Sequence, residues 1–162
     1  MLPLFPAALL LIQAPGVTRT VEALPGFLVL QGEPDAATFQ ALKAAGVTAV
    51  VNFRTDTEGP FETEAHATGL AGAGYTRCPL EREPSDAALD AARKTLRELP
   101  RGGVVLLHCA SGNRAAGALY AFLALDRGFA PAKALAVAKE AGLHSPATEA
   151  VVTRYVEARL KK

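Results

Sequence analysis

Val104-Val105-Leu106-Leu107-His108-Cys109-Ala110-Ser111-Gly112-Asn113-Arg114-Ala115-Ala116-Gly117 is the stretch whose reading decides the fold. Four apolar residues, two of them β-branched, predict a buried strand. A short run without helical period follows. Residues 115–125, rich in Ala and Leu, then predict a helix of high intrinsic propensity. Strand, tight loop and helix together make an anion cradle. The amides of the loop and of the first helical turn lack intrahelical partners, and the helix dipole is positive there. Cys109 stands at the mouth of that cradle, and Arg114 brings a planar fork suited to a tetrahedral oxyanion.

A thiol beside a helix N-terminus and a guanidinium is driven toward the thiolate. Such a thiolate is a nucleophile aimed at a phosphorus or sulfur centre. A buried inert cysteine followed by a chance arginine is the competing reading. His108 before the cysteine, Gly112 in the loop and a helix behind it weigh against that alternative.

The rest of the chain extends the pattern. Val17–Glu22 and Phe27–Leu30 predict a short edge hairpin turning at Leu24-Pro25-Gly26. Asp35 is the expected N-cap of a helix over Ala36–Ala45, closed by Gly46. Val47–Phe53 and Tyr75–Leu80 predict strands, separated by a helix over Phe61–Ala71. Ser85 caps a helix to about Leu99. Two further helices are expected, one starting at Pro131 and one after Ser145-Pro146. Alternating strands and helices predict an α/β fold with a largely parallel central sheet flanked by helices. Reactive groups in such sheets gather beyond the carboxyl ends of strands. Here those ends are Asn52–Arg54, Pro79–Glu83 and His108–Cys109.

At 162 residues, half of them apolar and a fifth charged, the chain suits one folded domain, taken as residues 17–162. A net charge of +1, with no basic run before Lys161-Lys162, makes no case for a nucleic-acid partner. Cys78 and Cys109 are too few for a disulfide framework, and His66, His108 and His144 form no ligand cluster, so neither a metal nor another cofactor is expected. Cys78 is read as a core residue of its strand, His144 as a surface residue and Tyr75 as a core residue. Residues 1–16 hold an apolar run, Ala7–Ile12, too short to span a bilayer. It is like the middle of a secretory leader, which implies a periplasmic or secreted protein. It lacks Lys or Arg before it and a clear cleavage site, and Pro3 and Pro6 interrupt it. The other reading is an N-terminal segment packed on a cytoplasmic domain.

Several pieces occur together in a fixed order: Gln31-Gly32-Glu33-Pro34, the run Ala45–Arg54, Gly74-Tyr75 with Pro79-Leu80, and His108–Arg114. In this respect the chain resembles the phosphatase-like domain of beta-lactamase hydrolase-like proteins, a bacterial branch of the dual-specificity tyrosine phosphatase superfamily. The resemblance covers residues 20 to 130 or so. It implies a cysteine-dependent phosphatase fold and a phosphorylated substrate. Cys109 would be the nucleophile, Arg114 the phosphate clamp, and the amides of Ala110, Ser111, Gly112, Asn113 and Arg114 the oxygen-binding cradle. His108 would tune the thiolate through loop hydrogen bonds.

Three departures accompany the resemblance. The loop places four residues between Cys and Arg where the superfamily usually has five. Ala115 stands where Ser or Thr is common. The usual acidic Asp is not evident, and Glu81 is the best positional candidate for it. Arg54 either faces the cleft and adds to the phosphate site or pairs at the surface with Asp56 or Glu58. The short loop leaves open a rhodanese-like sulfurtransferase carrying a persulfide on Cys109, and Ala115 with the missing Asp leaves open a weakly catalytic phosphate-binding module.

Overall fold

The computed structural model describes residues 19–162, so the leader-like run at residues 1–16 lies outside the described residues. Five strands, β1 (Thr20–Leu24), β2 (Phe27–Leu30), β3 (Val47–Asn52), β4 (Gly74–Arg77) and β5 (Val104–His108), form one sheet in the order β1-β2-β5-β3-β4. Only the β1–β2 pair is antiparallel. The hairpin is as expected, but β2 is not an edge strand, because it pairs with β5 on its other side. The predicted fold class is the one found. No helix among the described residues is long and apolar enough to cross a membrane.

Among the described residues six helices flank the sheet: α1 (Ala36–Leu42), α2 (Glu62–Leu70), α3 (Asp86–Arg97), α4 (Asn113–Asp126), α5 (Pro131–Ala141) and α6 (Pro146–Leu160). Each start has a sequence cause. Asp35 accepts from Thr38 N–H while the Thr38 hydroxyl returns to the Asp35 N–H, a capping box. Ser85 and Ser145 cap α3 and α6 by accepting from the Ala88 and Thr148 amides, and Pro131 and Pro146 open α5 and α6. Helix α4 begins at Asn113, two residues before the sequence pattern suggests, so Arg114 belongs to its first turn.

Strand alternation splits the core in two. Val105, Leu107 and Cys109 face α3 to α6, with Leu89, Leu119 and Val152. Leu28, Leu30, Val50 and Leu106 face α1 and its Leu42. Helix α4 is buried along most of its length, from Ala115 to Ala124, which its small side chains make feasible between the sheet and α3, α5 and α6. Because β5, β3 and β4 are neighbours, their carboxyl-end loops open on one side of the sheet.

Candidate active site

The loop after β5 turns into α4 through Gly112, whose φ is +84°. A Cβ there would meet Gln31 Cα at 3.1 Å and the Leu30 carbonyl oxygen at 3.2 Å, so both conformation and space call for glycine. Gly112 N–H donates to Cys109 Sγ at 3.2 Å. Cys109 is fully buried, beneath a loop whose exposed residues are Ala110 and Ser111.

Arg114 is fixed from outside that loop. Its Nη1 and Nη2 each donate to one Glu58 carboxylate oxygen at 2.7 Å, and Nη1 also donates to the Leu80 carbonyl at 3.1 Å. The paired hydrogen bonds raise Arg114 above the ordinary arginine value against burial, and the Cys109 sulfur acts in the same direction. Arg114 stands in the first turn of the helix that follows the Gly112 amide on Cys109 Sγ. A guanidinium has five N–H donors. The bonds to Glu58 and Leu80 take up one end of the group and leave the edge made by Nε–H and the second Nη2–H. That edge is a side-on fork of the kind that grips a tetrahedral oxyanion.

Sequence named Glu58 only as a surface partner for Arg54, not as the group that holds Arg114. It ends a 3₁₀ turn, Asp56–Glu58, where its carboxylate also accepts from the Thr55 N–H at 2.7 Å and the Thr55 hydroxyl at 2.9 Å. The Arg114 hydrogen bonds hold its carboxyl down at about 2. A Thr-x-x-Glu capping spacing, Thr55 to Glu58, was the available signal.

One sequence assignment needs correction. Arg54 is not in the phosphate cleft, nor does it pair with Asp56 or Glu58. It is buried, donates to Asn52 Oδ1 and to Glu64, lies 3.4 Å from Glu33 and stacks on the Phe61 ring at 4.6 Å. Asn52 and Glu64 lie across the sheet from Cys109, and the buried guanidinium is drawn to that carboxylate. His108 lies on that same side of the sheet. Successive strand residues face opposite ways, so its ring points to the face away from the Cys109 side chain. There its Nε2 lies 2.6 Å from Glu64 Oε1, and its Nδ1 3.4 Å from the Cys109 carbonyl oxygen. His108 can position the loop through that backbone contact but does not touch the cleft.

Glu64 thus joins Arg54, His108 and Tyr75, whose hydroxyl donates to it at 3.1 Å and accepts from Asn52 Nδ2 at 2.9 Å. Burial pushes the Glu64 carboxyl up, but His108 and Arg54 outweigh it and hold the group below its ordinary value. Tyr75 is pushed up to about 12, mainly by burial. Burial also raises the thiol of Cys78, which packs in the core.

An open cleft of about 530 Å³ lies over these loops. Thr55 and Glu58 line it from the loop after β3, Glu81 and Arg82 from the loop after β4, Ser111 and Arg114 from the cradle. The walls are polar. Glu81 stands on the rim, exposed. His144 and Ser145, from the turn between α5 and α6, complete the wall. The Asn113 side chain does not face outward as a ligand: Nδ2 donates to Thr148 Oγ1 at 2.8 Å, and Oδ1 accepts from the His144 and Ser145 amides at 3.1 and 2.9 Å. Only its backbone is left for the cradle.

No protein-family model matches the chain, and no curated protein matches it. Solved structures do. A protein from Shewanella putrefaciens CN-32 described as a "Putative phosphatase (DUF442)" is 25% identical, with a TM-score of 0.71 over 92% of this chain and 96% of that one. A single-residue variant of human DUSP28 is 25% identical, with a TM-score of 0.65 over 88% and 97%. PTPMT1 is 19% identical, with a TM-score of 0.66 over 88% and 98%. The sheet, its helices and the order of the elements are those of the tyrosine and dual-specificity phosphatase-like fold.

Proposed function

We propose that this protein is a cysteine-dependent phosphoester hydrolase acting through a phosphocysteine intermediate, of the kind expected for the phosphatase-like domain of beta-lactamase hydrolase-like proteins. The Gly112 amide donating to Cys109 Sγ, with Arg114 in the first turn of the helix that follows, carries the reading. Phosphate oxygens would take the loop amides and the Arg114 fork, which strengthens as charge builds on the transferring group. Sγ would attack phosphorus, the P–O bond to the leaving group would break, and water would then release phosphate and regenerate the thiolate. Cys109 is covered in the free protein, so substrate phosphate has to part the loop above it.

The test is hydrolysis of p-nitrophenyl phosphate with vanadate as inhibitor. Activity should vanish in Cys109→Ser; equal rates for the two proteins would remove the nucleophile. The short loop supports one other reading, a sulfurtransferase, which requires a persulfide on Cys109 after exposure to thiosulfate. No such adduct by mass spectrometry excludes it.

A further inference from the structure

Nucleophile and clamp suffice for a phosphoester whose leaving group departs easily. A poor leaving group also needs a proton. We infer that His144 is the proton-transfer residue of this cleft, its Nε2 meeting the leaving-group oxygen; this rests on the phosphatase reading above.

The first observation is where the turn sits. Gly142 ends α5 with φ +132°, and a Cβ there would lie 3.4 Å from Gln31 Cγ and 3.6 Å from the Gly112 carbonyl carbon. The turn therefore packs directly on the phosphate cradle. Asn113, which lies between Cys109 and Arg114 in the loop, accepts the His144 amide at 3.1 Å and so ties the histidine backbone to the cradle itself. Behind the turn, Lys139 and Glu149 link α5 to α6 at 2.9 Å.

The second observation is the ring. His144 is exposed on the cleft wall, and its Nδ1 lies 2.8 Å from the Gly142 carbonyl oxygen. A carbonyl only accepts, so Nδ1 carries hydrogen, and Nε2 is the nitrogen left to give or take a proton.

The third is the company. The charged groups lining the cleft around His144 are Glu58, Glu81, Arg82 and Arg114. Glu58 is engaged by Arg114 and held near 2, so it carries no proton to give near neutrality. The arginines do not release theirs. Glu81 is the rival, but no hydrogen bond among the described residues orients its carboxyl.

The step balances. Sγ forms the bond to phosphorus as the P–O bond breaks. The leaving oxygen takes the proton from His144 Nε2–H, leaving neutral imidazole. Water then attacks phosphorus, its proton passes to Nε2, and the S–P bond breaks to return the thiolate.

The test compares phenyl phosphate, a poor leaving group, with p-nitrophenyl phosphate, a good one, across pH. His144→Ala should lower kcat on phenyl phosphate by about 100-fold and on p-nitrophenyl phosphate by less than about 3-fold. It should also flatten the alkaline limb of the phenyl phosphate profile, and added imidazole should restore part of the rate. Equal losses on both substrates, or a leaving-group-dependent loss in Glu81→Gln and not in His144→Ala, would overturn the assignment. If the unaltered protein hydrolyses both substrates, Cys109→Ser abolishes both rates and His144→Ala changes neither, the histidine assignment alone falls. If the unaltered protein hydrolyses neither, the phosphatase reading falls and takes this one with it.

Discussion

Replacing Glu64 by Ala should destabilise the protein, because it removes a carboxylate shared by a buried arginine, a buried histidine and a tyrosine. The Glu64 side chain is 10% exposed and lies against three groups: Arg54, His108 and Tyr75. Breaking a buried pair by deleting one partner costs about 3–5 kcal/mol, because a charge is left behind without compensation. Here the stranded charge keeps some company. Arg54 retains Asn52 Oδ1 at 3.2 Å, the largely exposed Glu33 at 3.4 Å and the face of Phe61. Tyr75 keeps its bond from Asn52. The lower end of the range, about 3 kcal/mol, is therefore expected. For a chain of this size that is a fall in Tm of about 6–12 °C.

The pH dependence has a definite sign. The Glu64 carboxyl lies below its ordinary value in the folded state, so its contribution is complete above the unfolded carboxylate range and fades as pH falls through the folded value. The stability gap between the unaltered protein and Glu64→Gln should therefore narrow in acid. Urea unfolding at pH 7 and at progressively lower pH measures both effects, with an unchanged m-value as the check on two-state behaviour. A Glu64→Ala protein within about 1 kcal/mol of the parent at pH 7 would refute the reasoning, as would a gap that widens in acid.

Gly112→Ala should cost about 2–4 kcal/mol, from a left-handed alanine and contacts with backbone atoms that cannot swing aside, and should reduce phosphatase turnover more than tenfold by displacing the amide that donates to Sγ; melting and steady-state rates measure the two losses. Asn113→Ala, which strands the His144 and Ser145 amides and leaves Thr148 Oγ1 only its bond to the Arg82 carbonyl, should cost about 2–3 kcal/mol, read as a shift in urea midpoint. Asn113→Asp should weaken vanadate inhibition about tenfold or more, because it sets a negative charge beside an anion site; unchanged inhibition would place the anion elsewhere.

The architecture was legible because it rests on local signals. Apolar runs marked β3 and β5, Asp35, Ser85 and Ser145 marked helix starts, and the Cys109–Arg114 run placed a cradle at a helix N-terminus. The extent of β4 was less legible. Regular pairing stops at Arg77, although the Cys78 and Leu80 amides still bond to β3 carbonyls and their neighbour.

Partner choice was not legible. Glu58 lies 56 residues from Arg114, and Glu64 lies 44 before His108. Arg54 offered equally good exposed partners close by in sequence, Asp56 and Glu58, and found Glu64 instead, through packing of α2 on the sheet. His108 and Cys109 are adjacent in the chain and opposite in space, a consequence of strand alternation at β5. His144 reached the cleft only because α5 ends on the cradle at Gly142. Sequence alone determined that a thiol, an arginine and a helix N-terminus stand together at the end of β5, since all three are neighbours along the chain. Tertiary structure decided which charges hold them in place, since electrostatic partners are selected by burial and distance rather than by separation in sequence.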